Sequence, residues 1–309
     1  KDWHTLRATL LACRVLLARE ASSSSSSQFA AKAGTTDREM LDREVTTPSP
    51  SPSPSSSSSL NTLTPENVKQ LAQALFEVVD VQSHSQPIRH LSFEMMDILL
   101  RDPDHLKVLI SMTDVDILEV LVRFLDGEKD PRCLLLAFGC VERSIHIFSR
   151  VSPKVVTNNA ESVADVLSCY FPLSFSPPPD MMKSVTRQDL LIALFKAYTS
   201  TPEMFPHVVQ LLADRFPSPK SETKVDGLTL LQMCLEKFAT DITGGVGLDG
   251  TESEIEDLES LIEQVWDLIR SQILNTDPLL SVLDVSVDVM AKSFEALSSL
   301  AKLFGDSLQ

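Results

Sequence analysis

The sequence predicts an all-α protein assembled from stacked pairs of helices. Apolar residues recur at the three-and-four spacing of a helix, as in Leu71, Leu75 and Val79, rather than at the alternating spacing of a strand. Four of the nine glycines crowd into residues 244–250, which leaves long stretches without a helix breaker. Pairs of predicted helices recur about every 35 to 50 residues, the length of a helical hairpin repeat.

This spacing favours a HEAT- or armadillo-like helical-repeat solenoid with a disordered Ser/Pro-rich insertion. One helical hairpin cannot bury its own apolar face, so neighbouring hairpins must stack to complete the core. No strict consensus repeats along the chain, which indicates divergent repeats. A globular helical bundle remains the alternative.

Eleven helical segments are predicted in chain order, several with a short polar residue and a proline at their start. Thr64–Pro65, Asp130–Pro131, Thr201–Pro202 and Asp277–Pro278 all show this pattern. The polar side chain can cap the first free N–H groups, and proline is tolerated in the first turn. The predicted segments are 1–19, 65–81, 87–101, 115–125, 131–149, 159–170, 187–200, 204–216, 224–239, 252–274 and 278–304.

Composition divides the chain into five parts. Residues 1–20 form a helix of the amino-terminal repeat array and 21–62 a disordered insertion. Residues 63–240 form HEAT-like repeats, 241–251 a Gly-rich linker and 252–309 an acidic repeat, and both ends are expected to lie inside a longer array. The insertion holds runs of serine and a Pro-Ser alternation that cannot bury enough surface to order itself. It is either a bare linker or a substrate of proline-directed kinases.

The net charge of −16 disfavours direct binding to nucleic acid or to an anionic membrane surface, both of which need clustered Lys and Arg. Residues 241–309 hold 14 acidic and 3 basic residues. The acidic residues at the start of the segment 252–274 are favoured by the helix dipole. An acidic face that steers basic partners is the alternative explanation.

No pattern in the sequence predicts catalysis, a cofactor or a metal site. The five cysteines are odd in number and far apart, which is typical of a reducing compartment. Cys133 and Cys140 are predicted to be buried structural residues. The GxGxxG match at Gly245–Gly250 follows a predicted helix rather than a strand, which favours a flexible turn over a dinucleotide site.

Two segments are candidate protein-binding sites. The first is the turn before Pro131, which either contacts a partner or caps the following helix. The second is an aromatic and proline-rich strip between helices, where proline prevents a helix and the aromatic rings need burial or a partner. Its aromatics either lock adjacent repeats together or form a docking strip. The candidate residues are Asp126, Gly127, Glu128, Lys129, Asp130, Tyr170, Phe171, Pro172, Phe175, Pro177, Pro178 and Pro179.

Six short blocks of the sequence, which occur in the family's order, resemble the amino-terminal region of the Mms-nineteen family. The similarity covers about residues 1–20 and 65–245, with the Ser/Pro insertion as an extra and the acidic end matching loosely. The blocks are KDWHTLR at 1–7, RHLSFE at 89–94, DGEKDP at 126–131, YFPLSFSPPP at 170–179, TRQDL at 186–190 and STP at 200–202.

The resemblance implies a non-catalytic adaptor of the cytosolic iron-sulfur assembly targeting complex. Family members are long HEAT-repeat proteins that bring apo-proteins, including DNA helicases and polymerases, to the assembly machinery. The other targeting subunits dock mainly on repeats beyond this region. The resemblance thus implies a cytoplasmic and nuclear protein with no cofactor of its own. The alternative is a generic helical-repeat scaffold for trafficking or transport, with no iron-sulfur role.

Overall fold

The computed structural model describes residues 9–14, 64–174, 185–244, 252–274 and 285–307, and these are helical with no β-strand among them. None of the helices in these ranges is long and apolar enough to cross a membrane. The predicted all-α helical-repeat class is confirmed. The predicted insertion at 21–62 lies outside the described residues, as does the GxGxxG segment from Gly245 onward.

Twelve helices are described. Of the four predicted starts, Pro65 and Pro131 begin α-helices and Pro202 begins a 3₁₀ turn, whereas Asp277–Pro278 lies outside the described residues. The described residues also form two short 3₁₀ turns, Val81–Ser83 and Pro202–Met204, and one π-helical turn, Ala74–Val78. The helices are 9–14 (α1), Pro65–Gln73 (α2), Gln86–Arg101 (α3), Pro103–Ser111 (α4), Ile117–Leu125 (α5), Pro131–Val151 (α6), Pro153–Ser168 (α7), Arg187–Tyr198 (α8), Phe205–Arg215 (α9), Ser221–Gly244 (α10), Glu252–Leu274 (α11) and Val285–Ser307 (α12).

The chain divides into two compact units. Unit 1 comprises Lys1–Asp80 and Glu94–Thr113, and unit 2 comprises Val81–Phe93 and Asp114–Gln309. In unit 1, α2 packs against α4. The apolar residues of α2 and of the π-helical turn after it are buried. Leu75 and Phe76, both in that turn, are each only 1% exposed.

Unit 2 has two layers of helices, as expected for stacked hairpins. In one layer, α6 contacts α8, α8 contacts α10 and α10 contacts α12. In the other layer, α5, α7, α9 and α11 contact one another in the same succession. Contacts between α6 and α7, between α9 and α10 and between α11 and α12 join the layers. Each helix is thereby packed both against a sequence neighbour and against the next helix of its own layer.

The core of unit 2 is made of aromatic and branched apolar side chains that are almost fully buried. The rings of Phe93 and Phe124 meet edge-on with centroids 6.2 Å apart. Gly227 lets α10 approach α9 closely, because a Cβ there would lie 2.6 Å from the Phe216 ring. Close packing of this kind fixes one arrangement of neighbouring helices.

The main differences from the predicted segments concern α4, α7 and α10. Helix α4 was not predicted, although Asp102 caps it through the N–H groups of Asp104 and His105. Helix α7 begins at Pro153 rather than at 159, because Asn159 is not a start signal: its side chain donates to Asp116 and to the Val155 carbonyl. Helix α10 continues to Gly244, so the first residues of the predicted 241–251 linker are helical.

Candidate functional site

The predicted turn between α5 and α6 is tightly structured. Gly127 adopts a φ of +76°, a left-handed conformation that glycine reaches without a steric penalty. The Glu128 N–H then donates to the Leu125 carbonyl at 3.0 Å, which closes the turn. Asp126, Gly127 and Lys129 are exposed, whereas Glu128 points inward.

Glu128 is a buried carboxylate whose hydrogen-bonding capacity is met by four donors. Arg89 donates to it through Nε and Nη2, at 2.8 and 3.0 Å. The backbone N–H groups of Lys129 and Asp130 also donate to Oε1, at 2.8 and 2.9 Å. The Glu128 side chain is 0% exposed and that of Arg89 19%. The hydrogen bonds to Glu128 raise the pKa of the Arg89 guanidinium, so the guanidinium is held in its charged form.

Asp130 ends the turn by capping α6. Its carboxylate accepts hydrogen bonds from the backbone N–H groups of Arg132 and Cys133, at 3.0 and 3.3 Å. Burial acts to raise the pKa of Asp130, but the bonds from Arg132 and the two backbone N–H groups outweigh burial and hold the pKa below its ordinary value. The turn therefore has the capping role that the sequence analysis weighed against partner contact.

Tyr170 brings the beginning of the second candidate segment to this turn. Its hydroxyl donates to the Leu125 carbonyl at 2.6 Å, and its ring meets Phe138 of α6 edge-on at 5.5 Å. Burial raises the pKa of the Tyr170 hydroxyl, and the negative charge of Glu128 raises it further. The end of α7 is thus tied to the end of α5. We call Arg89, Glu128, Asp130 and Tyr170 the Glu128 cluster.

The next residues of the strip also pack inside unit 2. Phe171 is 2% exposed, and its ring centroid lies 6.3 Å from that of Phe195 on α8. The peptide bond between Phe171 and Pro172 is cis. The Leu173 carbonyl accepts a hydrogen bond from Arg187 Nε at 3.0 Å, and Arg187 also pairs with Asp226 of α10.

The described part of the strip therefore locks neighbouring repeats together. Phe175, Pro177, Pro178 and Pro179 lie outside the described residues, so the predicted docking role of this part stays a prediction. The turn and the strip were predicted separately, each from its own residues. Arg89 and Arg187 were not predicted as their partners, because neither ion pair leaves a local signal in the sequence.

The two cysteines of α6 are buried, whereas the one that follows α7 is exposed. Cys133 and Cys140 are both 0% exposed, and burial raises the pKa of Cys133 to about 12. Cys169, the residue that follows α7, is exposed. Within the part of the chain that the structure describes, no group of three or more His, Cys, Asp and Glu residues is placed to hold a metal ion.

The polar groups of the Glu128 cluster are engaged within unit 2. The Glu128 carboxylate is buried, the Tyr170 hydroxyl is partly buried, and both form hydrogen bonds there. What they support is the exposed loop of Asp126, Gly127 and Lys129. A rigid loop of this kind can contact a partner with little loss of conformational entropy.

Comparison with known proteins gives one family and a consistent set of relatives. Residues 1–275 match the family model MMS19_N, described as "Dos2-interacting transcription regulator of RNA-Pol-II". The chain is 32% identical over 179 residues to the MMS19 nucleotide excision repair protein homolog of Arabidopsis thaliana, which covers 58% of this chain and 15% of the relative.

Animal relatives of the same name align over more of the chain. The Bos taurus protein is 28% identical and the Homo sapiens protein 27% identical, each over 273 residues. Each alignment covers 88% of this chain and 23% of the relative. The chain thus spans about a quarter or less of the length of these relatives.

Proposed function

The chain belongs to the family of the MMS19 amino-terminal region, and on that premise we propose that it is a non-catalytic scaffold that helps target cytosolic iron-sulfur cluster assembly to client proteins. The clients are notably enzymes of DNA repair and replication, such as helicases and polymerases. The other partners are the remaining subunits of the targeting machinery, which bind mainly to repeats beyond these residues. The protein works in the cytoplasm and the nucleus.

The observation that carries the proposal is the family match over residues 1–275. The relatives are named nucleotide excision repair proteins, which supports a role in DNA repair. The two-layered stacking of helices in unit 2 supports a scaffold, because helical-repeat arrays offer extended surfaces for binding other proteins.

The exposed loop of Asp126, Gly127 and Lys129 is the proposed contact surface in this part of the chain. The charge reversal Lys129→Glu should weaken client capture and change the free energy of unfolding by no more than about 0.5 kcal/mol, since the side chain is exposed. Lys154→Glu is the matched control, an exposed lysine at the start of α7. Equal capture by the two variants would exclude the loop as a contact.

The proposal is tested by the loading of iron into clients in living cells. Cells depleted of the protein are grown with radioactive iron, and an iron-sulfur DNA helicase and a mitochondrial iron-sulfur enzyme are each isolated and counted. We expect the helicase to lose iron and the mitochondrial enzyme to keep it, and re-expression of the longest natural form of the chain to restore loading.

Unchanged helicase loading would refute the iron-sulfur role. If the protein then co-purified with coat or transport proteins, the scaffold would belong to trafficking instead. Equal loss of iron from both enzymes would also refute the proposal, because it would indicate a defect in iron supply rather than in targeting.

A further inference from the structure

Ser85 lies in an exposed connection just before α3. The 3₁₀ turn Val81–Ser83 precedes it, and α3 begins at the next residue, Gln86. Ser85 itself is exposed, and its carbonyl accepts hydrogen bonds from the N–H groups of Ile88 and Arg89, at 2.9 and 3.1 Å. An enzyme can therefore reach the Ser85 hydroxyl without opening the interior of a helix.

The residue after Ser85 is a glutamine, and one class of protein kinases, related to phosphatidylinositol 3-kinase, requires glutamine directly after its target serine. A Ser-Gln pair begins at three positions of the sequence, Ser27, Ser85 and Ser271. Ser271 lies inside α11, where its hydroxyl donates to the Leu268 carbonyl at 2.8 Å, and the glutamine after it is 4% exposed. Ser27 lies outside the described residues. Within the described ranges, Ser85 is thus the accessible serine of this pattern.

The Arg89 guanidinium lies next to Ser85. Its Nη1 donates to the His84 carbonyl at 2.9 Å, and that carbonyl belongs to the peptide bond that joins His84 to Ser85. A phosphate on the Ser85 hydroxyl can therefore reach Nη1. Because a phosphate oxygen is charged, it accepts a stronger hydrogen bond from a guanidinium than a neutral carbonyl does. Arg89 is thus placed to bind a phosphate on Ser85.

Arg89 keeps its bonds to Glu128 when Nη1 binds a phosphate. Nε and Nη2 are the nitrogens that hold the Glu128 carboxylate, whose side chain is 0% exposed. Stranding this buried carboxylate costs more free energy than an exposed contact between arginine and phosphate gains. The phosphate is therefore expected to replace the His84 carbonyl at Nη1. The connection before α3 then becomes tied to the Glu128 cluster.

We propose that Ser85 is a phosphorylation site for a kinase of the Ser-Gln class, and that Arg89 binds the phosphate. The kinase transfers the γ-phosphoryl group of ATP to Ser85 Oγ. The Oγ–P bond forms, the bond from the γ-phosphorus to the oxygen that bridges to the β-phosphate breaks, ADP leaves, and the hydroxyl proton passes to a base of the kinase. The inference goes beyond the proposed function, since its test involves neither iron nor a client protein.

Phosphorylation is tested on the longest natural form of the chain with ATP and a purified kinase of the Ser-Gln class. Mass spectrometry follows the phosphorylated fraction of Ser85 with time. We expect Ser85 to be phosphorylated and Ser271 to stay unmodified. Gln86→Ala should lose the phosphate on Ser85, because the kinase reads the glutamine. Ser83→Ala is the matched control, an exposed serine of the same connection that no glutamine follows, and should keep the phosphate.

The role of Arg89 is tested by phosphorus NMR on phosphorylated residues 1–309, with Ser27→Ala to remove the other candidate serine. An unpaired phosphoserine titrates near pH 6 in its second step, at about 6. A neighbouring guanidinium favours the dianion, so the midpoint should be lower in the folded chain than in a phosphopeptide of residues 80–92. Arg89→Met should raise the midpoint, and Arg101→Met, at the other end of α3, should leave it unchanged.

Three results would overturn the inference. Absence of phosphate on Ser85 in the folded chain, while the peptide of residues 80–92 accepts it, would show that the fold shields the hydroxyl. Equal phosphorylation of the Gln86→Ala variant would remove the assignment to the Ser-Gln class. A midpoint equal to that of the phosphopeptide would remove Arg89 as the group that binds the phosphate, and this comparison decides even if the Arg89→Met variant does not fold.

Discussion

Arg89→Met is expected to leave the buried carboxylate of Glu128 without its counter-ion. The substitution removes both hydrogen bonds to Glu128 and a third, from Nη1 to the His84 carbonyl. The backbone N–H groups of Lys129 and Asp130 still donate to Glu128. Removing one member of a buried ion pair costs about 3 to 5 kcal/mol. Since the Arg89 side chain is 19% exposed and Glu128 keeps two donors, the expected loss is near the lower end, about 3 kcal/mol.

Two further variants separate the ion pair from the arginine itself. Glu128→Gln removes the charge and keeps the shape, so it should cost less than Arg89→Met, about 1 to 2 kcal/mol. The double variant should cost less than the sum of the single variants by at least about 1 kcal/mol, because the second substitution removes a charge already stranded by the first. Arg101→Met is the control, since Arg101 is 63% exposed and pairs with Asp97 on one helix, an arrangement that contributes about 0.5 kcal/mol.

The assay is urea unfolding followed by far-ultraviolet circular dichroism, with hydrogen exchange of the α6 amides as a local readout. Arg89→Met should lower the urea concentration at the midpoint of unfolding. It should also speed hydrogen exchange of the amides at the start of α6, because Glu128 and Asp130 together fix that end of the helix. Arg101→Met should do neither. A loss of stability for Arg89→Met no larger than that of Arg101→Met would refute the claim that the Glu128 cluster holds the repeats together.

Three further predictions concern the same region. Gly127→Ala should lower the free energy of unfolding in urea by about 1 to 2 kcal/mol, because a φ of +76° is strained for alanine. Gly139→Ala, at an open helical position, should raise it by about 0.5 to 1 kcal/mol, and equal effects of the two substitutions would contradict this reasoning. The folded-state pKa of Asp130 is depressed, so its stabilisation is present above the unfolded value of about 3.9 and lost as pH falls through the folded value. Asp130→Asn should therefore flatten the dependence of stability on pH below about 4, and an unchanged profile would count against the cap. A thiol reagent should modify exposed Cys169 well before buried Cys133, and mass spectrometry showing the reverse order would mean that α6 opens readily.

Local sequence signals predicted the helices well because caps and apolar periodicity act within a few residues. Pro65 and Pro131 both begin helices as predicted. Helix α4 was missed even though Asp102–Pro103 has the same pattern as Asp130–Pro131. The predicted segment 87–101 ended where α3 ends, and no further segment was predicted before 115. Asn159 looks like a helix start until its partner Asp116, 43 residues away, is known.

The candidate site was predicted in its parts and not in its connections. The turn and the strip stood out by composition, and Asp130 has the capping role that its position before Pro131 suggests. The burial of Glu128 could not be predicted, because it depends on Arg89, 39 residues away. The same holds for Tyr170, whose bond to the Leu125 carbonyl spans 45 residues.

The measurement that tests the scaffold claim most directly is affinity capture from a reducing cytosolic extract, with retained proteins identified by mass spectrometry. The longest natural form of the chain and residues 1–309 are used side by side, each with its Lys129→Glu variant. We predict that the longest form retains iron-sulfur helicases together with cluster assembly factors, and that residues 1–309 retain a subset that the variant reduces. Retention of only coat, transport or unrelated proteins by both forms would contradict the account.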